Sequence, residues 1–207
     1  MDPGVVIRSM ASRGSMGGIA PATYQASVVF DAMGFQKVII ETVGTGQLES
    51  DIIRCAHTVV VVTMPGTGDE VQVAKAGLFE IGDVFVVNKA DRDGADAIGR
   101  EIESMLSLGG GGRKWRPPVL QTVAVEGKGA AEVAQAADRH RAHQEETGAH
   151  QLGEVARARH VILQELIESA REKAAALLDG KMARLVEDVA KRKTDAASAA
   201  QSVWRDL

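Results

Sequence analysis

The chain has 207 residues, 45% of them hydrophobic and 25% charged, and a formal net charge of −4 at pH 7. That length and apolar content suit one medium α/β domain plus a helical appendage and exclude a peptide-like or disordered chain. Interspersed acids and bases exclude the basic footprint of a nucleic-acid binder, a single cysteine excludes an internal disulfide, and no apolar run approaches the ~18 residues of a membrane span. Met1-Asp2-Pro3-Gly4 lacks the basic and apolar regions of a signal peptide, so a cytoplasmic protein in a reducing compartment is expected.

In chain order, Val5-Val6-Ile7-Arg8 predicts a short strand opening into a Gly-rich loop from Ser9 to Gly18. Such a loop, rich in backbone donors, can be a switch near an anionic ligand or an ordinary solvated connection. The spacing of Ala22, Ala26, Val29, Phe30 and Met33 predicts a helix stopped by Gly34. Lys37-Val38-Ile39-Ile40-Glu41 predicts a strand that ends in Glu41-Thr42-Val43-Gly44-Thr45-Gly46-Gln47. An apolar strand finishing in a carboxylate and then a glycine has the makings of a Walker B element. There Glu41 would reach toward Mg²⁺ through water and the Gly44 N–H would meet a terminal phosphate. The same acid can instead cap the following helix.

Residues 48–56 predict that helix, and His57 to Met64 another buried strand. Pro65-Gly66-Thr67-Gly68 then forms a loop entering a helix, with Asp69, Glu70, Gln72 and Lys75 near the same sheet edge. It reads as a second mobile element or as a plain helix start with acidic first-turn residues.

Val84-Phe85-Val86-Val87 predicts a strand buried on both faces that surfaces at Asn88-Lys89-Ala90-Asp91, where open α/β sheets bind ligands. A fixed Asp91 carboxylate can accept two hydrogen bonds from guanine N1–H and N2–H₂, whereas the unprotonated N1 of adenine would be repelled. The Lys89 stem can lie along the base while the Asn88 amide ties neighbouring loops together. Residues 93–107 predict a helix, Gly109 to Trp115 a surface loop, and Pro118-Val119-Leu120-Gln121-Thr122 a fifth strand leading into Val123-Ala124-Val125-Glu126-Gly127-Lys128-Gly129. Alternation of strand and helix predicts an α/β fold with a mainly parallel sheet.

The last third predicts helices. In 130–147, His140 and His143 stand one turn apart, a spacing that could hold a metal but lacks an evident third ligand, so a solvated face is expected. Cys55 and His57 are expected to be local structure rather than ligands. From Gln151 to Asp179, Leu152, Val155, Ile162, Leu166, Ala170, Ala174 and Leu177 mark a long amphipathic helix that needs a surface to pack on. Gly180 ends it, 181–192 predict a further helix, and Asp195 an N-cap for 196–207. Domains are expected at 1–147 and 148–207.

Four ordered motifs, Glu41-Thr-Val-Gly-x-Gly-Gln47, Pro65-Gly-x-Gly-Asp-Glu70, Val86-Val-Asn-Lys-Ala-Asp91 and Thr122-x-Ala-x-x-Gly-x-Gly129, resemble the MeaB/ArgK family of P-loop GTPases. These are chaperones of adenosylcobalamin-dependent acyl-CoA mutases such as methylmalonyl-CoA mutase. The resemblance implies a three-layer P-loop NTPase-type domain with a C-terminal helical dimerisation arm, and GTP/GDP with Mg²⁺ as ligands. Adenosylcobalamin would sit on the partner mutase. It further implies that Asn88, Lys89, Ala90 and Asp91 bind guanine, with backbone groups of Val123, Ala124 and Val125 on the base's other side. Glu41 would lie by Mg²⁺ and Gly44 by the γ-phosphate. Asp69, Gln72 and Lys75 would relay nucleotide state, Lys75 also acting in catalysis.

The 207 residues depart from the family in one major respect: they contain no Gly-x-x-x-x-Gly-Lys-Ser/Thr. Without that phosphate cradle the base-reading half is expected to bind GTP weakly. A sheet incomplete at the N-terminus, from a truncated start or a split protein, is expected, with unpaired inner strand edges. Two other readings are a non-hydrolysing scaffold that touches a mutase and a nickel-maturation GTPase, the latter disfavoured by the lack of a His-rich tract or Cys pair.

Overall fold

The computed structural model describes residues 4–10, 21–42, 55–66, 78–109 and 114–207. The expected helix over 48–56 falls almost wholly outside these residues, as do Gly44, Asp69, Gln72 and Lys75. The described elements are α1 (Pro21–Ala32), β1 (Val60–Thr63), α2 (Leu78–Ile81), β2 (Val84–Asn88), α3 (Ala95–Gly109) and β3 (Val119–Thr122), followed by a 3₁₀ turn, Ala124–Glu126. Four helices end the chain: α4 (Ala130–Glu146), α5 (Ala149–Asp179), α6 (Ala183–Ala190) and α7 (Ala196–Asp206).

The sheet is parallel with order β1-β2-β3; Val60 faces Val84 at one end of the first ladder, and Asn88 faces Thr122 at the end of the second. The near-continuous apolar run of β2 reflects helices on both of its faces. Phe85 and Val87 turn one way, joining Val59 and Val61 against Ala95, Ile98 and Ile102 of α3. Val84 and Val86 turn the other way, against Ala136 of α4. The result is a helix–sheet–helix sandwich. Val84, Phe85 and Val87 are wholly buried, each contributing about 1.5–3 kcal/mol by leaving water. The Phe85 ring fits because residue 82 is glycine, where a Cβ would lie 2.5 Å from Phe85 Cζ.

Two expected strands do not form. Residues 5–8 and 37–41 are neither helix nor strand, and their apolar side chains other than the half-buried Ile40 face solvent, Ile7 at 89% and Ile39 at 92% exposure. β-branched residues supply a fit to a pleated, half-buried surface, but a strand also needs a laddered neighbour. Neither segment pairs with the described sheet, whose strands are β1, β2 and β3. On β1 itself, Val60 and Val62 remain exposed on one face while Val61 and Thr63 are buried.

The chain divides into two compact units, Met1–Arg157 and Ala158–Leu207. In the second, the expected break and cap are both present. Gly180 N–H donates to Ala176 O as the helix ends. Asp195 Oδ1 accepts from Ser198 N–H at 2.9 Å, and that hydrogen bond foremost holds the Asp195 carboxyl below its ordinary range. Among the described residues no helix is long and apolar enough to cross a membrane.

Candidate functional site

β2 carries its chain to the C-terminal edge of the sheet and releases it at Asn88. The Asn88 Oδ1 accepts two hydrogen bonds from the neighbouring connection, one from Thr122 Oγ1 and one from Ala124 N–H, both 3.1 Å. Ala90 N–H donates to Thr122 O at 3.0 Å, so the tetrapeptide and the segment after β3 are joined by side chain and backbone alike. Lys89 takes a left-handed conformation, φ 56°, and Arg92 N–H closes the turn onto Lys89 O at 3.0 Å. A non-glycine residue in that region costs on the order of 1–2 kcal/mol, and such strain gathers at ligand sites.

The loop opposite is equally fixed. Val123 and Lys128 form an antiparallel bridge that closes the 3₁₀ turn, with Val123 N–H donating to Lys128 O at 3.1 Å. Gly127 (φ 71°) ends that turn. Gly129 (φ 79°) passes so close to β3 that a Cβ there would lie 2.3 Å from Gln121 O. Ala124 and Val125 are left exposed at its tip, Val125 at 95%.

Asn88, Lys89, Ala90 and Asp91 therefore lie beside the Val123–Val125 loop, joined to it through Thr122 and Ala124. Asp91 is exposed, and among the described residues neither it nor Lys89 is engaged in an ion pair. A carboxylate and an ammonium on a rigid turn beside exposed backbone groups can read a planar, hydrogen-bonding ligand. Thr122, the first residue of the Thr122-x-Ala-x-x-Gly-x-Gly129 motif, helps fix Asn88 through its hydroxyl.

Glu41 stands apart. It is exposed, outside any strand, and belongs to no cluster of three potential metal ligands among the described residues. Mg²⁺ on a nucleotide needs only one or two carboxylates, with phosphates and waters filling the rest of its shell, so a lone acid is compatible with such a site.

His140 corrects the expectation of a solvated face. It is 4% exposed, with Nδ1 2.9 Å from Thr58 Oγ1 and Nε2 3.4 Å from Asp83 Oδ1. Asp83 in turn accepts from Val59 N–H through Oδ2 at 2.9 Å and from Trp115 Nε1–H through its backbone oxygen at 2.8 Å. The Trp115 ring lies 5.0 Å from that of His140 and 5.4 Å from that of His143. Burial pushes the His140 pKa down, nearby His143 adds to this, and Asp83 opposes it. Trp115, expected on a loop without role, is a packing element of this network.

A family model described as methylmalonyl Co-A mutase-associated GTPase MeaB matches residues 1–178. A Pyrococcus abyssi protein named as a GTPase is 43% identical over 214 aligned residues, covering all of this chain and 65% of that protein. A Pyrococcus horikoshii protein, also named as a GTPase, is 49% identical over 155 residues, covering 71% of this chain and 47% of the relative. The chain thus spans between about half and two thirds of the length of these relatives. The crystal structure of LAO/AO transport system kinase superposes with a TM-score of 0.64 at 22% identity, covering 90% of this chain and 62% of that one. That likeness shows the fold, a P-loop-type three-layer α/β arrangement with a helical C-terminal part.

Proposed function

Because the chain belongs to the family of methylmalonyl Co-A mutase-associated GTPases, MeaB, we propose that its C-terminal sheet edge reads guanine nucleotides on behalf of a cobalamin-dependent acyl-CoA mutase. The observation that carries this reading is the double hydrogen bond of Asn88 Oδ1 to Thr122 and Ala124, which holds the two base-facing loops as one rigid unit. In this reading Asp91 accepts from guanine N1–H and N2–H₂, the Lys89 stem lies along the base plane, and backbone groups of Val123, Ala124 and Val125 face it from the other side.

The protein then acts as a GTP-hydrolysing chaperone that gates the loading and protection of adenosylcobalamin on the mutase. Glu41 and Gly44 belong to the phosphate side of that site, and Asp69, Gln72 and Lys75 to the relay that reports nucleotide state. Loss of the γ-phosphate would release the relay from the partner. Dimerisation through α5 completes the proposal, with Ile162, Leu166 and Ile167, each more than half exposed, as its candidate contacts.

The base-reading assignment is tested by titrating the chain with GDP and ADP, each carrying a fluorescent ribose label. Wild type should prefer GDP by tenfold or more, and Asp91→Asn should erase that preference, since a site built on hydrogen bonds rejects what cannot make them. A wild-type chain that binds both alike, or neither, overturns it. For the arm, Leu166→Glu should shift a dimer toward monomer in sedimentation velocity; an unchanged species rejects this interface.

A further inference from the structure

At the sheet edge opposite Asn88, three side chains with metal-ligand chemistry converge. His57 lies on the segment leading into β1, while His150 and Glu154 stand four residues apart on one face of α5. Their potential ligand atoms all lie within 4.8 Å of one another. His57 Nε2 is 2.6 Å from Glu154 Oε1, and the two imidazoles stack 5.1 Å apart with their planes within 4° of parallel. All three belong to the first compact unit.

We propose that His57, His150 and Glu154 form a three-ligand site for a divalent first-row transition cation of the Zn²⁺ type, clamping the start of α5 to the segment before β1. Two imidazoles and one carboxylate are the donor set of such ions, whereas Mg²⁺ and Ca²⁺ take oxygen-rich sets. Three protein ligands leave one tetrahedral position to water on this half-exposed surface.

The surroundings supply the support a ligating carboxylate requires. Arg157, only 7% exposed, donates from Nη2 to Glu154 Oε1 at 2.7 Å and from Nη1 to Ala56 O at 3.4 Å. It therefore ties the Glu154 carboxylate to the chain just before His57, as outer-shell partners do. That hydrogen bond is also the chief reason the Glu154 carboxyl is held below its ordinary range. Metal–ligand lengths of about 2.0–2.2 Å place tetrahedral ligand atoms roughly 3.4 Å apart. To reach that spacing the two imidazoles must also turn out of their parallel stack, so that an in-plane nitrogen lone pair of each points at the same ion.

The test uses the full chain stripped of metal by a chelator, titrated with Zn²⁺ against a chromophoric chelator and with Co²⁺ followed by visible absorbance. One equivalent of Zn²⁺ should bind, Co²⁺ should give the intense bands of a tetrahedral site, and the thermal midpoint should rise with added Zn²⁺. His150→Ala and Glu154→Gln should each weaken Zn²⁺ at least tenfold, and His57→Gln serves where either fails to fold by circular dichroism. His160→Ala, a change elsewhere on the same helix, should leave affinity unchanged. No saturable binding, undiminished affinity in the three variants, or an equal response to Mg²⁺ overturns the proposal.

Discussion

At the C-terminal end of the parallel sheet, Asn88 engages Thr122 and Ala124 while Lys89 and Asp91 stay outside any ion pair among the described residues. At its N-terminal end, Thr58, Asp83, Trp115 and His140 are instead joined to one another. The same strands thus deliver polar groups to two surfaces with different outcomes. One polar residue at the first end builds the frame and leaves its two charged neighbours outside any ion pair among the described residues. At the second end the polar groups satisfy each other around a buried imidazole, which fixes α4 and the Trp115 segment against the sheet. Polar residues at a strand end become a binding site only where the frame leaves some of them over.

The largest effect on this contrast should come from Gly129→Ala. Its added Cβ would meet Gln121 O at 2.3 Å in a backbone at φ 79°, and a backbone oxygen cannot swing aside as a flexible side chain can. About 2–3 kcal/mol of stability should be lost through left-handed strain plus displacement of β3 from the loop. Urea unfolding measures it. Gly127→Ala is the matched control: φ is 71° but nothing lies within 4 Å of the new Cβ, so only the conformational cost of about 1 kcal/mol applies. Equal losses in the two variants would mean that the close approach of Gly129 to β3 does not hold the loop over 123–128.

The two ends also differ in how far the sequence reveals them. The C-terminal end is carried by two contiguous stretches, 88–91 and 122–129. The apolar run of β2 announces where the chain must surface, and the small residues after β3 announce a tight loop. Even the tie through the Asn88 amide follows from its chemistry. The network at the other end is assembled across long separations: Thr58 and His140 are 82 residues apart, and Trp115 and Asp83 are 32 apart. Helical spacing places His140 and His143 on nearby turns but cannot say which of them faces the sheet. His57, His150 and Glu154 are hidden by the same arithmetic, since 97 residues separate the hydrogen-bonded pair His57 and Glu154. The segments at 5–8 and 37–41 mislead in the opposite direction. Their β-branched composition is local, whereas the ladder partner that turns it into a strand is not.

The smallest effect is a pH dependence that belongs to the N-terminal end alone. His140 has a folded-state pKa below the ordinary histidine value of about 6.5, because burial disfavours the imidazolium more than Asp83 favours it, and His143 adds to the depression. The unfolded chain therefore binds a proton at this residue more readily than the folded chain does. The stabilisation from neutral His140 is fully present above about pH 6.5 and is lost as pH falls from there through the folded value, at no more than about 1.4 kcal/mol per pH unit. Carboxylates held low by their partners, Glu154 and Asp195, weaken the fold only at more acidic pH. His140→Gln keeps a polar group beside Thr58 but removes the titration. Urea midpoints at pH 7.5 and 5.5 should accordingly differ less in the variant than in the wild type. Parallel profiles would show that the imidazole binds its proton equally well in the folded and unfolded chain, with the Asp83 attraction balancing burial; a wild type that is relatively more stable at pH 5.5 would show that the attraction outweighs it.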